Sequence, residues 1–465
     1  MIFTEPTLTI ALCAMAWCVL VVVMFRMSLN PRQRSTGLPL AFVLATTLMH
    51  CGALLYLIPS YDHTVDAYLA SWNYTKGTVA DGLVISTLGI LGVVLGFGLA
   101  NRLAPARNHP GRGGRAWHIV FQSSRLLVGV GVAATALGAA VTAFVPIAGL
   151  SAAMAGFKGL LLIGVSGFMV YYFAIGQRAK AIWTSLLGIA VVVSMQMLES
   201  GVLGDATYSA IVIACFLLCI SQSKAKSLLL GLAALAVVSY AFLTASVVWM
   251  NVRSEIRATS NNAGYGERVA VAIDALSKAR AFDGASEQEL VFIDMRMNQN
   301  VMIGKANEYL SAFPNLYANG STLLMAAAGW VPRAVWPDKP ERGGSGFAST
   351  YSGQKLSTSA SFGTGPIFEF LINFGWYGVV LGCIVYGFAL RWLDSRSALM
   401  LWDGNVLRSA PYFVAGVSMV TPMDTMFFIV NGAVSGALSS LAVVYVARTW
   451  FGGRRRIMAP VRASR

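Results

Sequence analysis

The chain has 465 residues, of which 56% are hydrophobic and 12% charged, and its formal net charge at pH 7 is +14. A soluble globular domain carries about 25% charged residues, so this composition excludes a soluble globular protein and indicates a protein in an apolar solvent. Apolar runs recur along the chain and predict an all-α polytopic membrane protein, because a backbone in lipid must satisfy its hydrogen bonds internally. The alternating segments of a membrane β-barrel are absent from the sequence.

About eleven transmembrane spans are predicted in chain order. They cover residues 7–25, 38–58, 83–101, 125–147, 159–176, 181–198, 206–221, 228–250, 367–390, 409–423 and 426–447. Residues 1–250 therefore form a bundle of about eight helices, and 251–366 form a large loop. Residues 367–447 hold the last three helices, and 448–465 form a basic tail.

The distribution of basic residues predicts the orientation of these spans. Arginine and lysine follow spans one, three, five, seven and nine and fill the tail, whereas the short alternate loops carry only Lys76 and Lys158. Cytoplasmic loops carry such an excess, so we predict a cytoplasmic C-terminus, a periplasmic N-terminus and a periplasmic 251–366 loop. Topology then explains the net charge without a nucleic-acid partner, although contact of the tail with anionic membrane lipids is a second interpretation.

The 251–366 loop is predicted to be structured. Apolar residues recur at helical spacing in 267–282 and 306–313. A third short helix is predicted for 321–331, with Ser321 as its N-cap and Pro332 as its terminator. Loops of this length that carry their own helices are usually functional, so we place the candidate site here. The alternative is an ordered cap whose only role is packing.

One stretch of this loop, "WVPRAVWPDKPERGGSGF" at 330–347, combines rigidity with charge. Pro332, Pro337 and Pro340 fix their own backbone angles and favour extended geometry at the preceding residues. Trp330 and Trp336 are typical of the water–lipid boundary. The sequence therefore predicts a stiff segment at headgroup depth. Within it, "RGGSG" at 342–346 is predicted to be a turn that opens no helix, and the alternative is a glycine nest whose backbone amides bind phosphate.

Three cations project from this stiff segment, namely Arg333, Lys339 and Arg342. Cations held at headgroup depth favour an anion, and arginine is suited to bidentate recognition of phosphate. We therefore consider a lipid-linked diphosphate as ligand. The alternative is that these cations pair with Asp338, Glu341 or ordinary lipid phosphates.

Two segments, "VPRAVWPDKP" and "FEFLINFG" at 368–375, resemble bacterial Wzy-type O-antigen and exopolysaccharide polymerases, also called oligosaccharide repeat-unit polymerases. Members of that family often have a Pro-Arg-x-x-Trp-Pro-x-Lys-Pro segment in a large external loop, followed by a helix with Glu and Asn-Phe-Gly. The matching positions are Pro332, Arg333, Trp336, Pro337, Lys339, Pro340, Glu369, Asn373, Phe374 and Gly375. The motif match covers about forty residues, and the late outer loop extends it loosely to the whole chain.

The resemblance implies an enzyme of the bacterial inner membrane that joins oligosaccharide units linked to undecaprenyl diphosphate on the periplasmic face. The product would be O-antigen, capsule or exopolysaccharide, and the leaving group a lipid diphosphate. A chain-length regulator and a flippase of the same pathway are the expected protein partners. Neither cofactor nor metal is expected, because the sequence has no clustered acidic motif near a membrane end.

Within this resemblance, fixed cations would stabilise the charge that develops on the departing diphosphate. Arg333 is the first choice for that role. The other expected substrate contacts are Lys339, Arg342, Arg296, Arg253, Arg257 and Trp336. The acceptor hydroxyl needs a general base, for which Glu369 and Asp338 are the main candidates. The alternative for Glu369 is a carboxylate at a helix start, where the helix dipole favours it. Further outer-side carboxylates are Asp294, Glu308 and Glu341.

Two other functions remain open at this stage. A transporter or flippase for a polysaccharide lipid should have ionisable groups in mid-membrane or broken helices in two matching halves. An O-antigen-ligase-like glycosyltransferase is expected to use a loop histidine, and 251–366 contains none. His50 is predicted to be a packed, hydrogen-bonded residue, and His63 to be an exposed surface residue.

Overall fold

The computed structural model describes residues 5–30, 33–103, 117–144, 150–200, 203–221, 286–331, 344–356 and 363–452, with Trp336 and isolated residues between 240 and 278. Within these ranges the chain is helical and contains no β-strand, which confirms the all-α prediction. The predicted helix at 267–282 lies outside the described ranges except for a few isolated residues. The same holds for the predicted span at 228–250.

The described N-terminal part of the chain forms six helices of 19 to 28 residues and two shorter ones. Their bounds are Pro6–Ser28 (α1), Leu38–His50 (α2), Ala67–Ala70 (α3), Lys76–Leu103 (α4), Trp117–Phe144 (α5), Leu150–Ala174 (α6), Arg178–Ser200 (α7) and Leu203–Ser221 (α8). A 3-10 helix, Cys51–Leu57, continues α2, and another, His63–Val65, precedes α3. Asp66 begins α3 by accepting hydrogen bonds from the backbone amides of Tyr68 and Leu69.

The C-terminal part contains shorter helices followed by two long ones. Their bounds are Glu287–Met297 (α9), Asn300–Ala312 (α10), Ser321–Ala327 (α11), Ser345–Ser352 (α12), Gly365–Trp402 (α13), Val406–Ser418 (α14) and Met426–Gly452 (α15). A 3-10 turn, Pro314–Leu316, follows α10. Helices α9 to α12 all fall within the predicted 251–366 loop.

Helix α10 packs directly onto α4 rather than forming a separate cap. A Cβ on Gly82 of α4 would lie 1.9 Å from the carbonyl oxygen of Asn300, and one on Gly304 would lie 2.0 Å from that of Thr78. Only glycine permits backbones to approach this closely. Asn300, at the start of α10, contacts Gly82, whereas Gly304, further along α10, contacts the earlier residue Thr78, so the two helices run antiparallel.

Helix α13 is broken near its N-terminus. Phe374 (φ −141°, ψ 18°) and Gly375 (φ 62°, ψ −152°) leave the helical region and divide α13 into a first segment, 365–373, and a second segment, 376–402. A Cβ on Gly382 would lie 2.5 Å from the ring of Phe370. Residues twelve positions apart are about 18 Å apart along a continuous helix. The first segment therefore folds back on the second, and every one of its residues is buried.

Seven segments of the described chain are long and apolar enough to cross a membrane. They are Pro6–Ser28, Leu38–Leu57, Lys76–Leu103, Trp117–Leu137, Phe157–Ala174, Gly365–Trp402 and Met426–Ala447. These helices make the chain a membrane protein. Ala206–Ser221 is apolar but shorter, and α14 has 13 residues where about 20 are needed to span a bilayer. The count of about eleven spans stays a prediction.

The bundle has two chemically different ends. The end at which α4 and α15 begin carries many aromatic residues, including Tyr56, Tyr74 and Tyr377, and we call it the aromatic end. The opposite end, where α4 and α13 finish, is the basic end. There, buried Arg391 pairs with buried Asp394, whose Oδ1 accepts from the Thr36 amide at 2.8 Å.

Some local predictions for the loop are wrong. Gly320, at φ +88°, is the N-cap of α11, and Ser321 is its first residue. The reason is that the Gly320 amide donates to Asn373 Oδ1 at 2.8 Å, which fixes the start of the helix from outside. Helix α11 also ends at Ala327, before Pro332 is reached. The predicted turn at 342–346 does open a helix, because α12 begins at Ser345. The predicted helix at 306–313 is part of the longer α10.

Candidate functional site

An open cleft of about 770 Å³ lies at the break in α13. Typical small-molecule sites measure about 300–1,000 Å³. The cleft is lined by Tyr317, Asn319, Asn373, Phe374, Gly375, Trp376 and Tyr377. The lining is thus mostly aromatic, with two amide side chains and no charged residue among those that the structure describes.

Asn373 holds the two walls of the cleft together. Its Oδ1 accepts from the Gly320 amide at 2.8 Å, and its Nδ2 donates to Thr322 Oγ1 at 2.7 Å. The Ala318 amide also donates to the Ile372 carbonyl at 2.8 Å. Asn373 is 1% exposed, so these hydrogen bonds form away from water. The segment that carries Tyr317 and Asn319 is therefore fixed to the end of the first segment of α13.

Gly375 makes the break in α13. Its backbone angles lie in a region that is essentially restricted to glycine. A Cβ at this position would meet only the Tyr317 ring, with its nearest atom at 3.7 Å, so space is not the constraint. The requirement for glycine is conformational, and the sequence Asn373-Phe374-Gly375 encodes the break.

Three aromatic side chains after and within the break give the cleft its chemical character. Phe374 is 53% exposed and Tyr377 is 84% exposed. Trp376 is half-buried, and its Nε1 donates to Asn307 Oδ1 of α10 at 2.9 Å. Trp376 is therefore anchored, whereas Phe374 and Tyr377 present large free faces. Such faces suit ligands with apolar ring surfaces and hydroxyl edges, because tyrosine and tryptophan combine an apolar body with a polar tip.

Glu369 lies behind the cleft rather than in its lining. It is 1% exposed, and its Oε2 accepts from the Met426 amide at 2.6 Å. The carboxylate thus caps the N-terminus of α15, where the helix dipole favours a negative charge. It is also hydrogen-bonded to Thr322, the residue that Asn373 holds. This geometry suits a residue that positions the cleft walls, and its predicted role as general base stays a prediction.

A second polar group at the aromatic end surrounds Asp294, which is 3% exposed. Its Oδ2 accepts hydrogen bonds from the hydroxyls of Tyr56 (2.6 Å), Tyr61 (2.7 Å) and Tyr74 (3.0 Å). Its Oδ1 accepts from Asn298 Nδ2 at 2.6 Å. We call Tyr56, Tyr61 and Tyr74 the tyrosine cluster. Four neutral donors thereby replace water around one buried carboxylate.

Burial, and then the negative charge of Asp294, raise the pKa of the Tyr61 and Tyr74 hydroxyls well above their usual range. Both hydroxyls therefore stay protonated and keep donating to the carboxylate. The cluster fixes the 58–75 connection against α9. Since Asp294 accepts four hydrogen bonds from these side chains, the arrangement suits a structural task, and its role as general base stays a prediction.

Hydrogen bonds extend from this cluster to the end of α2. Asn300 Nδ2 donates to Asn298 Oδ1 at 3.0 Å, and His50 Nδ1 lies 2.8 Å from Asn300 Oδ1. His50 is 5% exposed, which confirms the prediction of a packed, bonded histidine. His63 is half-buried and stacks on Tyr74 with ring centroids 4.1 Å apart, so the prediction of a plain surface residue is wrong.

Among the residues that the structure describes, the predicted site residues Arg296 and Glu308 lie outside the cleft lining. Arg296 of α9 is exposed, with its guanidinium 5.8 Å from the Phe292 ring, and is not part of the cleft lining. Glu308 accepts from Thr78 Oγ1 and, at 3.1 Å, from Lys305 Nζ. Trp336 is half-buried. The remaining candidates lie outside the described residues: Arg253, Arg257, Arg333, Asp338, Lys339, Glu341 and Arg342.

The sequence analysis did not identify most residues of the cleft, nor the hydrogen bonds between the tyrosine cluster and Asp294. Asn373, Phe374 and Gly375 were found through the motif, but Tyr317, Asn319, Trp376 and Tyr377 were not. The available signal was the density of aromatic residues directly after Asn-Phe-Gly and throughout 56–74. In the part of the chain that the structure describes, no group of three His, Cys, Asp or Glu side chains could hold a metal ion.

The chain belongs to the family defined by the domain of unknown function DUF8712, whose model matches residues 43–450. This match includes α2 to α15 except for the first residues of α2 and the last of α15, and hence the cleft and the tyrosine cluster. No curated protein and no solved structure matches the chain.

Proposed function

We propose that this protein is a polysaccharide polymerase that joins oligosaccharide units carried on undecaprenyl diphosphate, with release of lipid diphosphate. The observation that carries the proposal is the cleft at the break in α13, whose described lining is mostly aromatic and carries no charge. It is formed by the same Asn373-Phe374-Gly375 sequence that resembles the Wzy-type family. An uncharged aromatic lining suits sugar rings, and a diphosphate would need cations supplied from elsewhere.

The proposal includes an orientation. The aromatic end faces the periplasm of a bacterial cell, the basic end faces the cytoplasm, and about eleven spans cross the inner membrane. Supporting this, Arg26 and Arg102 lie in the last turns of α1 and α4, and Arg408 lies in the first turn of α14. The C-terminal tail is then cytoplasmic and the N-terminus periplasmic. Helices α9 to α12 belong to a periplasmic region that packs against the spans.

Each group has a distinct task in this proposal. Phe374, Trp376 and Tyr377 stack on sugar rings of the lipid-linked units, and Asn319 hydrogen-bonds to hydroxyl groups. Arg333, with Lys339 and Arg342, stabilises the negative charge that develops as the diphosphate leaves. Glu369 positions the walls through Thr322 and the α15 amide. The acceptor hydroxyl loses its proton to a base drawn from the carboxylates predicted above.

Incubation of the purified protein with undecaprenyl-diphosphate oligosaccharide tests the proposal. We expect a ladder of products that differ by one repeat unit, and we expect the ladder to persist in a chelator. Arg333→Ala should slow its formation by at least about a hundredfold, the effect of losing one fixed charge-stabilising donor. Arg268→Ala is the matched control, because Arg268 lies in the predicted amphipathic helix at 267–282. Ladders that form equally in both variants would refute the role of Arg333.

A transporter of the same lipid is the second candidate, and the break in α13 favours it. Transporters commonly place substrate sites at discontinuous helices whose ends face the ligand. Proteoliposomes loaded with lipid-linked oligosaccharide on one leaflet distinguish the two. Transfer between leaflets with no new glycosidic bond would favour the transporter, and bond formation without net transfer would favour the polymerase.

A further inference from the structure

The second segment of α13 exposes one continuous apolar stripe. Tyr377 is 84% exposed, Leu381 63%, Val385 67% and Trp392 45%. Their spacing places them on one face of the helix. The opposite face, with Val379 among its buried residues, packs against α4. From Tyr377 to Trp392 the stripe is about 22 Å long, which exceeds one leaflet of a bilayer.

The stripe begins inside the cleft. Tyr377 is both a lining residue of the cleft and the first residue of the stripe, and Phe374 lies in the same lining one turn before it. The aromatic cleft, with its two amide side chains, and an apolar helix face therefore share the side chain of Tyr377. A ligand with a hydrophilic head and a long hydrocarbon chain fits such a surface, with its head at Asn319 and its chain beside Leu381.

Among the described helices, the exposed apolar faces of α4 and α15 lack this junction. Helix α4 exposes Leu95 (50%), and α15 exposes Leu441 (52%), both to a degree close to that of Leu381. Neither residue lines the cleft. These positions would contact bulk lipid in any membrane protein. Labelling at Leu95 and Leu441 therefore shows how much lipid contact results from exposure alone.

We propose that the cleft and the α13 stripe form one groove that holds the isoprenoid chain of the lipid-linked substrate along Tyr377, Leu381 and Val385. This rests on the proposed function, because it assigns the path of that substrate's lipid. Substrate enters sideways from the membrane, and its sugar units reach the aromatic side chains while the chain remains in hydrocarbon. The break in α13 allows this by lifting the first segment off the face that the chain occupies.

A photo-reactive amino acid at position 381 tests the groove, with positions 95 and 441 as matched controls in full-length protein in lipid nanodiscs. The first probe is undecaprenyl-diphosphate oligosaccharide that is radiolabelled in its sugars. The second is radiolabelled phosphatidylglycerol. We expect the first probe to label position 381 at least about fivefold more than either control, a preference of about 1 kcal/mol, and the second probe to label all three equally.

Equal labelling of the three positions by the first probe would overturn the groove. The same preference for position 381 with phosphatidylglycerol would also overturn it, because the stripe would then hold ordinary lipid. Product ladders are measured in the same samples, so the two proposals fail separately. If position 381 is labelled preferentially but no product ladder forms, polymerisation is refuted and the groove is supported. If ladders form without preferential labelling of position 381, the groove is refuted and polymerisation is supported. Leu381→Ser should raise KM for the lipid-linked substrate about fivefold with kcat unchanged, whereas Leu441→Ser should not.

Discussion

The tyrosine cluster and the cleft lie at the same end of the molecule and are both built from aromatic residues, yet their environments are opposite. In the cluster, every hydroxyl donates to one buried carboxylate, and Tyr74 is 4% exposed. In the cleft, Phe374 is 53% exposed and Tyr377 is 84% exposed. Aromatic composition therefore does not identify a binding surface. What separates the two regions is whether the side chains already have partners.

From this difference we infer that the cluster stabilises the fold, and we propose that the cleft contacts the ligand. Buried polar groups whose hydrogen bonds are complete specify a single packed arrangement, and losing one acceptor leaves several donors unsatisfied. Exposed aromatic faces contribute little to folding but are available to a ligand. The connection between the regions is α10, whose Asn300 bonds to His50 and whose Asn307 bonds to Trp376.

The largest effect on stability is expected when the carboxylate at the centre of the tyrosine cluster is removed. Asp294→Ala removes the acceptor that three hydroxyls and the Asn298 amide share, and Tyr56 keeps the Tyr74 hydroxyl, at 2.9 Å, as a second acceptor. We expect the free energy of unfolding to fall by more than about 3 kcal/mol. Asp294→Asn keeps one acceptor oxygen and should cost less. Chemical denaturation of the purified protein in detergent measures both. Unchanged stability in Asp294→Ala would contradict a structural role for the cluster.

A single methyl group added at the break in α13 should lower the stability of the protein. Gly375→Ala forces an L-residue into a glycine-only backbone region, so we expect a loss of about 1–3 kcal/mol in stability, together with lost product formation. Gly346→Ala is the matched control, because a Cβ there has nothing within 4 Å and the site lies in helix α12. Thermal unfolding of the two variants compares them. Equal melting temperatures would mean that α13 does not need its break.

The smallest expected effect concerns single tyrosine hydroxyls at high pH. The raised pKa values of Tyr61 and Tyr74 mean that the folded state holds these protons when the unfolded state has released them. Their contribution to stability is therefore fully present below pH of about 10 and is lost as the pH rises further. Tyrosinate absorbance during an alkaline titration should show late-titrating groups, one fewer in Tyr61→Phe and in Tyr74→Phe. In denaturant this late fraction should vanish. Identical titrations in native wild type and both variants would be inconsistent with the cluster.

The sequence predicted the helical class well, because long apolar runs leave lipid-buried backbones no alternative. It also pointed to Asn373, Phe374 and Gly375 through a motif. It could not show that α13 folds back at Gly375, since the sequence predicted residues 367–390 to be one continuous span. Nor could it pair Asp294 with Tyr56, because residues 238 positions apart share no local pattern. The N-cap prediction for Ser321 is wrong for the same reason, since the Gly320 amide that begins the helix donates to Asn373, which is distant in the sequence.

The central claim is that the exposed aromatic cleft, and not the buried cluster, contacts the sugars. The most direct test is the rate of ladder formation from undecaprenyl-diphosphate oligosaccharide by the double variant Phe374→Ala/Tyr377→Ala. Tyr445→Ala is the control, since Tyr445 is 70% exposed on α15 and lies outside the cleft. We predict a rate at least about tenfold lower than wild type in the double variant, or 1.4 kcal/mol, with unchanged melting temperature and a wild-type rate in the control. A double variant that forms ladders as fast as wild type, or a wild-type protein that forms none, would contradict the account.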